Sequence, residues 1–261
     1  MATRTYTLAT DDAGPVEVTV SDTGEGHPFL LLHGGGGPQT FAGFAELLAG
    51  SKDARVIAPV HPGFGGTVRP DALASVGGLA ALYVALLDEL DLAGVTVVGN
   101  SVGGWIAAEM ALLHSPRIAR VVIMDGVGIE VPGHPVADFF SLTMDQVSQL
   151  SYYDPEKFGI DLSKLPPAIA AAMPGNRASL AVYAGTAMAD PGLAARLAGV
   201  KVPVLVLWGE ADRIADPDFG RAYAAAIPGG QFQLLTGTGH LPQIETPGQA
   251  LEAIWSFAAA S

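Results

Sequence analysis

A serine flanked by glycines, in Gly99-Asn100-Ser101-Val102-Gly103, follows the apolar β-branched run Val95-Thr96-Val97-Val98 and precedes Trp105-Ile106-Ala107-Ala108-Glu109-Met110-Ala111, whose composition is helical. The order reads as strand, sharp turn, helix, with the hydroxyl at the apex of the turn. Such a turn cramps the backbone, so the flanking positions must be small. It also lifts the serine oxygen clear of the sheet, toward amides at a helix N-terminus. That is the layout of a nucleophilic serine. The alternative is an ordinary strand–helix turn that Ser101 merely caps.

A serine needs a general base, and the base needs an acid to orient it. Of the six histidines, His240 is placed best, in Thr236-Gly237-Thr238-Gly239-His240-Leu241-Pro242, just past the last expected strand. Asp212 follows the strand before that, in Trp208-Gly209-Glu210-Ala211-Asp212. In a parallel sheet, loops that follow strands share one edge, which brings distant sequence positions together. The order Ser101, Asp212, His240 matches the order expected for such a sheet. Asp125, also at a strand end, is the rival acid, and Glu210 a third choice. The glycine run after His33 lets backbone N–H groups approach a substrate oxygen. The amides of Gly35 and Val102 are therefore expected to form the oxyanion hole, with His33 bracing the loop. The run has neither the spacing of a dinucleotide site nor a following Lys-Ser/Thr, and no metal-ligand spacing occurs anywhere. No cofactor and no metal are expected.

The elements that must hold these residues follow a regular rhythm. Thr3–Leu8 and Val16–Val20 read as an opening antiparallel pair about the turn Asp11-Asp12-Ala13-Gly14-Pro15. Strands are then expected at Phe29–Leu32, Val56–Pro59, Val95–Val98, Val121–Met124, Val202–Trp208 and Gln231–Leu235. Helices are expected from Phe41 to about Ala49, Ser75 to Leu90, Trp105 to about His114, Asp216 to Ile227 and Pro247 to Ala259. Alternation at this spacing predicts an α/β fold, a mostly parallel sheet with helices on both faces. The rhythm stops between Asp125 and Val202. A structureless loop of that length is improbable, so residues 127–196 read as an inserted helical subdomain over a core of 1–126 and 197–261. Its segments are expected to break at Pro132, Pro135, Pro155, Pro166-Pro167 and Pro174.

Composition bounds the partners. With 49% hydrophobic and 15% charged residues, the 261-residue chain can bury a large core. It has no cysteine, which removes disulfides, thiol nucleophiles and cysteine metal clusters. A net charge of −13 disfavours nucleic acid and anionic membranes. The N-terminus lacks the layout of a signal peptide, and no apolar run approaches the roughly 18 residues of a membrane span. The expectation is a soluble, cytoplasmic protein acting on a small molecule, with homo-oligomerisation left open.

His33-Gly34-Gly35, Pro62-Gly63-Phe64-Gly65, the turn around Ser101, Gly209 to Asp212, and Gly239-His240 together resemble the α/β-hydrolase fold superfamily over essentially the whole chain. The resemblance implies an eight-stranded sheet and a helical cap over the active site. A serine at position 101 separates the chain from the branches that use aspartate there. His33-Gly34-Gly35-Gly36 with Gly99-Asn100-Ser101 is similar to the meta-cleavage-product hydrolases, which cut carbon–carbon bonds in ring-fission products. That subfamily usually has tryptophan where this chain has Leu241, and Gly-Pro-Gly where it has Gly37-Pro38-Gln39. Arg177 could match its cap arginine for a substrate carboxylate; a solvent-facing helix charge is the alternative. Val60 departs from the aspartate of many relatives, and the neighbouring His61 reads as a turn cap or a pocket residue. Trp105, Phe139, Arg177, Tyr183 and Leu241 are pocket candidates, with Phe140, Leu142, Tyr152, Tyr153 and Phe158 beside them. The expected function is a cofactor-independent serine hydrolase of the carboxylesterase or lactonase type acting on a small, fairly apolar carbonyl compound. The rivals are a carbon–carbon bond hydrolase and a ligand-binding protein on the same scaffold.

Overall fold

The computed structural model describes residues 2–10 and 14–260. Of the expected first turn, Asp11, Asp12 and Ala13 lie outside them. The strands are β1 (Ala2–Thr10), β2 (Gly14–Gly24), β3 (His27–Leu32), β4 (Ala54–Pro59), β5 (Val95–Asn100), β6 (Ile118–Met124), β7 (Val204–Gly209) and β8 (Gln231–Leu235). They form one sheet in the order β1-β2-β4-β3-β5-β6-β7-β8. β1 with β2 and β2 with β4 are antiparallel, and the other five pairings are parallel.

The central strands read as continuous apolar runs because both faces are covered. Alternate residues go to opposite sides. Leu30, Leu32, Val95, Val97, Val121, Ile123, Val204, Val206 and Trp208 enter one core. Phe29, Leu31, Val98, Val122, Met124, Leu205 and Leu207 enter the other. The second face is closed by α1 (Gln39–Ser51), through Phe41, Phe44 and Leu48, and by the C-terminal helix, through Ala250, Ile254 and Phe257. The first is closed by α2 (Val76–Glu89) and α3 (Val102–Leu112), with Phe219 and Tyr223 completing it.

Between β6 and β7 lie α4 (Met144–Ser151), α5 (Pro155–Phe158), α6 (Pro167–Ala184) and α7 (Leu193–Arg196). Thr143 and Gln146 make a reciprocal capping box that starts α4. Breaks fall at Pro155 and Pro166-Pro167 as expected, but not at Pro174. Pro155 and Pro167 begin helices, where a missing N–H costs nothing. Pro174 sits inside α6, which runs through it for 18 residues. After β7 come α8 (Pro217–Ala225), α9 (Pro242–Glu245) and α10 (Pro247–Ala258). Among the described residues no helix is long and apolar enough to cross a membrane.

The register brings the C-terminal ends of the parallel strands level. Leu32 pairs with Gly99, Asn100 with Met124, Met124 with Leu207, and Gly209 with Leu235. The loops that carry Gly35, Ser101, Asp125, Asp212 and His240 therefore leave the sheet along one edge.

Candidate active site

Ser101 has φ 58° and ψ −121°, a conformation that a side chain rarely accepts. The neighbours hold it there. Its N–H donates to Met124 O at 3.0 Å, and its carbonyl accepts from Gly104 N–H, Trp105 N–H and Val127 N–H. The flanking glycines are steric requirements. A Cβ on Gly99 would stand 2.0 Å from Gly103 O, and one on Gly103 would stand 2.0 Å from Leu32 O. The backbone strain at Ser101 thus persists because the surrounding turn over-determines it.

His240 and Asp212 are paired at 2.7 Å, His240 Nδ1 to Asp212 Oδ2. Both are almost wholly buried, 6% and 2% exposed. Asp212 Oδ1 is occupied by N–H donors from Ile214 at 2.8 Å and Ala215 at 3.2 Å. A carboxylate facing Nδ1 assigns the proton to that nitrogen, which leaves Nε2 free to accept. The His240 loop is tied down from three sides. Its N–H donates to Ser151 O at 2.6 Å, at the end of α4. Its carbonyl accepts from Asn100 Nδ2 at 2.9 Å. Glu245 on α9 accepts from Gly239 N–H, and also from Tyr153 and Asp154 N–H in the β6–β7 segment. Asn100 in turn accepts from Gln243 Nε2 at 3.1 Å. Sequence reasoning missed Asn100, Gln243 and Glu245. Only Asn100 carried a signal, its place inside the serine motif.

The rival acids are engaged elsewhere. Asp125 is fully buried and accepts Gly209 N–H on Oδ1 at 2.8 Å. Glu210 is exposed and holds Gly237 N–H. Asp125, Asp212 and His240 bring one ligand-type atom each to within 4.8 Å of one another. The mutual bond of Asp212 and His240 and the two backbone donors on Asp212 leave this set poorly disposed to hold a cation.

A brace of two histidines shapes the glycine loop. His33 Nδ1 donates to Gly34 O at 2.8 Å, and His33 Nε2 accepts His61 N–H at 3.1 Å. His61 Nε2 donates to His33 O at 2.8 Å, while His61 Nδ1 accepts from the Tyr83 hydroxyl. Their rings stack 3.7 Å apart. A peptide's C=O and N–H point in opposite directions. Fixing the Gly34 carbonyl therefore fixes the direction of Gly35 N–H. Val102 opens α3, where the first N–H groups lack intrahelical acceptors. His61 is thus neither a turn cap nor a pocket residue. It is 0% exposed and braces His33.

Burial holds His33 down to about 4 and His61 well below the usual histidine range, the bond to Gly34 and the bond to His33 respectively opposing. Both stay neutral in the fold but take up protons when unfolded below pH ~6.5. Their contribution to stability is complete above that pH and is lost as pH falls toward 4, at about 1.4 kcal/mol per pH unit for each. Urea unfolding of wild type and His61→Leu between pH 6.5 and 5 is expected to differ in slope by about one proton. Equal slopes would show that His61 is protonated in the fold.

Ser101, His240 and Gly35 open on a cavity of about 760 Å³. Leu241, Phe139, Leu142, Met173 and Leu180 make much of its wall, with Arg177, Asn176 and Thr40 as polar members. Tyr152 lines it too, whereas Tyr153 is 59% exposed. Phe140 and Phe158 stay off the wall, and two further pocket expectations are corrected. Trp105 packs beneath Gly128, where a Cβ would meet its ring at 2.5 Å, and donates to Glu109. Tyr183 turns its hydroxyl to Pro62 O at 2.9 Å. Neither reaches the cavity wall. Arg177 is not solvent-facing either. Its Nη2 donates to Phe139 O and Phe140 O, and its guanidinium lies 5.0 and 5.4 Å from their ring centroids.

A sequence profile described as the alpha/beta hydrolase family matches residues 29–254. The chain belongs to this family. Among alpha/beta hydrolases it is 31% identical, over 89% of its length and 87% of the relative's, to a 2-hydroxymuconate semialdehyde hydrolase of Pseudomonas putida. It is 28% identical, over 95% of both chains, to a 2-hydroxy-6-oxo-2,4-heptadienoate hydrolase of Pseudomonas putida F1. Among solved alpha/beta hydrolase structures, a thermophilic esterase from Thermogutta terrifontis superposes with a TM-score of 0.78, at 26% identity and 98% coverage of both chains.

Proposed function

We propose that this alpha/beta hydrolase is a cofactor-independent serine esterase or lactonase that cleaves a small, apolar substrate through an acyl-enzyme. The observation that carries the reading is Ser101, on its strained turn, opening with the buried His240–Asp212 pair on one largely apolar cavity. Ser101 Oγ attacks the ester carbonyl carbon while His240 Nε2 takes the hydroxyl proton. The carbonyl oxygen becomes an oxyanion, met by Gly35 and Val102 N–H, each worth on the order of 3 kcal/mol in the transition state. Collapse of the tetrahedral adduct expels the alkoxide, which takes the proton from His240. Water then repeats the cycle in reverse, with His240 as base, and releases the acid. Asp212 holds the imidazole tautomer and stabilises its cation. Residues 127–196 act as the cap that dries the cavity and selects the substrate.

Carbon–carbon bond cleavage is the second reading, favoured by the names of the relatives and by Arg177 in the cavity wall. Two features weigh toward esters. Arg177 is committed to two carbonyls and two rings, and position 241 offers only a leucine beside His240.

Hydrolysis of p-nitrophenyl esters of graded chain length, with Ser101→Ala as control, tests the proposal. Turnover of short and medium esters that Ser101→Ala lacks is the expected result. Faster cleavage of a vinylogous 1,5-diketone, lost in Arg177→Ala, would give the second reading instead. A folded protein that leaves Ser101 unlabelled by a fluorophosphonate would end both.

A further inference from the structure

Asp125 is the one member of the buried carboxylate–imidazole group that the reaction above does not use. It ends β6 in the left-handed region, with φ 47°, and its N–H donates to Leu207 O at 3.0 Å. The backbone thus delivers its side chain into the space between β6 and β7. Oδ1 accepts Gly209 N–H at 2.8 Å. Oδ2 is buried and meets no donor, and the Asp125 and Asp212 carboxylates bring an oxygen each to within 4.8 Å of one another. Two carboxylates that face each other away from water cannot both be charged without a cation between them. Among the described residues no lysine or arginine pairs with either, and the one ion-pair partner of Asp212 is His240. One carboxyl must therefore hold a proton.

The hydrogen bonds decide which. Asp212 accepts from three donors, Ile214 N–H, Ala215 N–H and His240 Nδ1–H. Asp125 accepts from one. Donors favour the charged form of the carboxyl they face, so the charge sits on Asp212. We propose that Asp125 is a positioning residue, a neutral carboxylic acid whose Oδ2–H donates to Asp212 and supplies the fourth hydrogen bond of the catalytic carboxylate. This rests on the reading of Asp212 and His240 as the catalytic pair. Burial and then the Asp212 charge hold the Asp125 carboxyl well above the usual carboxylate range, Gly209 N–H opposing and the Asp212 bond and Glu245 charge adding. The titratable groups that face it are Asp212 after β7, His240 after β8 and Glu245 on α9. The neighbouring strand β5 ends in the neutral Asn100, which pairs with Met124.

The consequence is chemical as well as geometric. A donor on Asp212 spreads the negative charge that His240 feels. It also stops the carboxylate from turning away from Nδ1. Removing the donor concentrates that charge on the oxygen beside Nδ1.

Isotope-edited infrared spectra of the folded, substrate-free protein with 13C-carboxyl aspartate test the protonation directly. A protonated aspartic carbonyl band at neutral pH, absent from Asp125→Asn, is expected. The pH profile of kcat/KM on a p-nitrophenyl ester tests the positioning. In Asp125→Ala the acid limb is expected to move up by about 0.5–1 pH unit. In Asp125→Asn, where Oδ1 must still face Gly209 N–H and the amide N–H replaces the lost O–H, the limb stays with wild type. Absence of the band, its persistence in Asp125→Asn, or equal limb shifts in both variants would overturn the proposal. If Asp125→Ala does not fold, the band and the Asp125→Asn profile still decide. The spectrum needs no turnover, so a protein inactive on esters but showing the band would overturn the esterase reading and leave the neutral carboxyl standing.

Discussion

Ser101→Ala is expected to lower kcat on the best ester by about five to six orders of magnitude, and Ser101→Ala/His240→Ala to lower it no further. Nucleophile and base work as one unit, so the loss of either removes covalent catalysis, and the second substitution has nothing left to remove. A residual rate on the order of 10³-fold over water is expected from Gly35 and Val102 N–H together with binding. The fold should survive the single change. The turn is held by Ser101 N–H and Ser101 O, not by the hydroxyl, and alanine at φ 58° carries the same backbone strain as serine. Single-turnover kinetics beside thermal unfolding separate the two effects. A loss below about a hundredfold with unchanged unfolding would move the nucleophile away from Ser101.

The sheet and the edge it presents were legible because they depend on patterns that sequence displays. β-branched runs fully buried on two faces, such as Val95–Val98, read as continuous apolar segments. The glycines at 99 and 103 announce a turn in which a Cβ would strike backbone. The order of Ser101, Asp212 and His240 follows from strands ending at a common edge. The choice between Asp212 and Asp125 was open in sequence, since both end a strand. In space, His240 Nδ1 meets Asp212 at 2.7 Å while Asp125 turns to Gly209.

The pocket was less legible, for a physical reason. An aromatic residue in a helical stretch faces cavity or core according to how its helix packs, and composition does not carry that. Trp105 and Tyr183 went to the core, whereas Phe139 and Leu241 reached the cavity. Proline carries a similar ambiguity. Pro155 and Pro167 start helices, and Pro174 is absorbed by α6. His61 shows the limit of reading by motif. Its role depends on ring-to-backbone contacts with His33, 28 positions earlier in the chain. The bonds from Ser151 and Glu245 that tie the β6–β7 segment to the His240 loop are equally silent in sequence, because each joins a backbone group to a partner set by tertiary packing.

Asp212→Asn is expected to cost about four orders of magnitude in kcat/KM while leaving the fold intact, and the surrounding donors dictate why. Ile214 and Ala215 direct their N–H groups at Oδ1. An asparagine must present its carbonyl oxygen there, since its NH₂ would face two donors. The amide nitrogen is then forced toward His240 Nδ1 and becomes a donor where an acceptor stood. Nδ1 must accept, so the imidazole proton moves to Nε2, the atom that has to take the Ser101 proton. The histidine is present and oriented but holds the wrong tautomer. Ester kinetics and fluorophosphonate labelling should fall in parallel, because both need a deprotonated Nε2. Nitrogen NMR of labelled His240 should place the proton on Nε2 in Asp212→Asn and on Nδ1 in wild type. A loss under tenfold with the proton still on Nδ1 would mean that another group orients His240, and Asp125, the only other carboxylate within 4.8 Å of both residues in the described set, would be the one to substitute next.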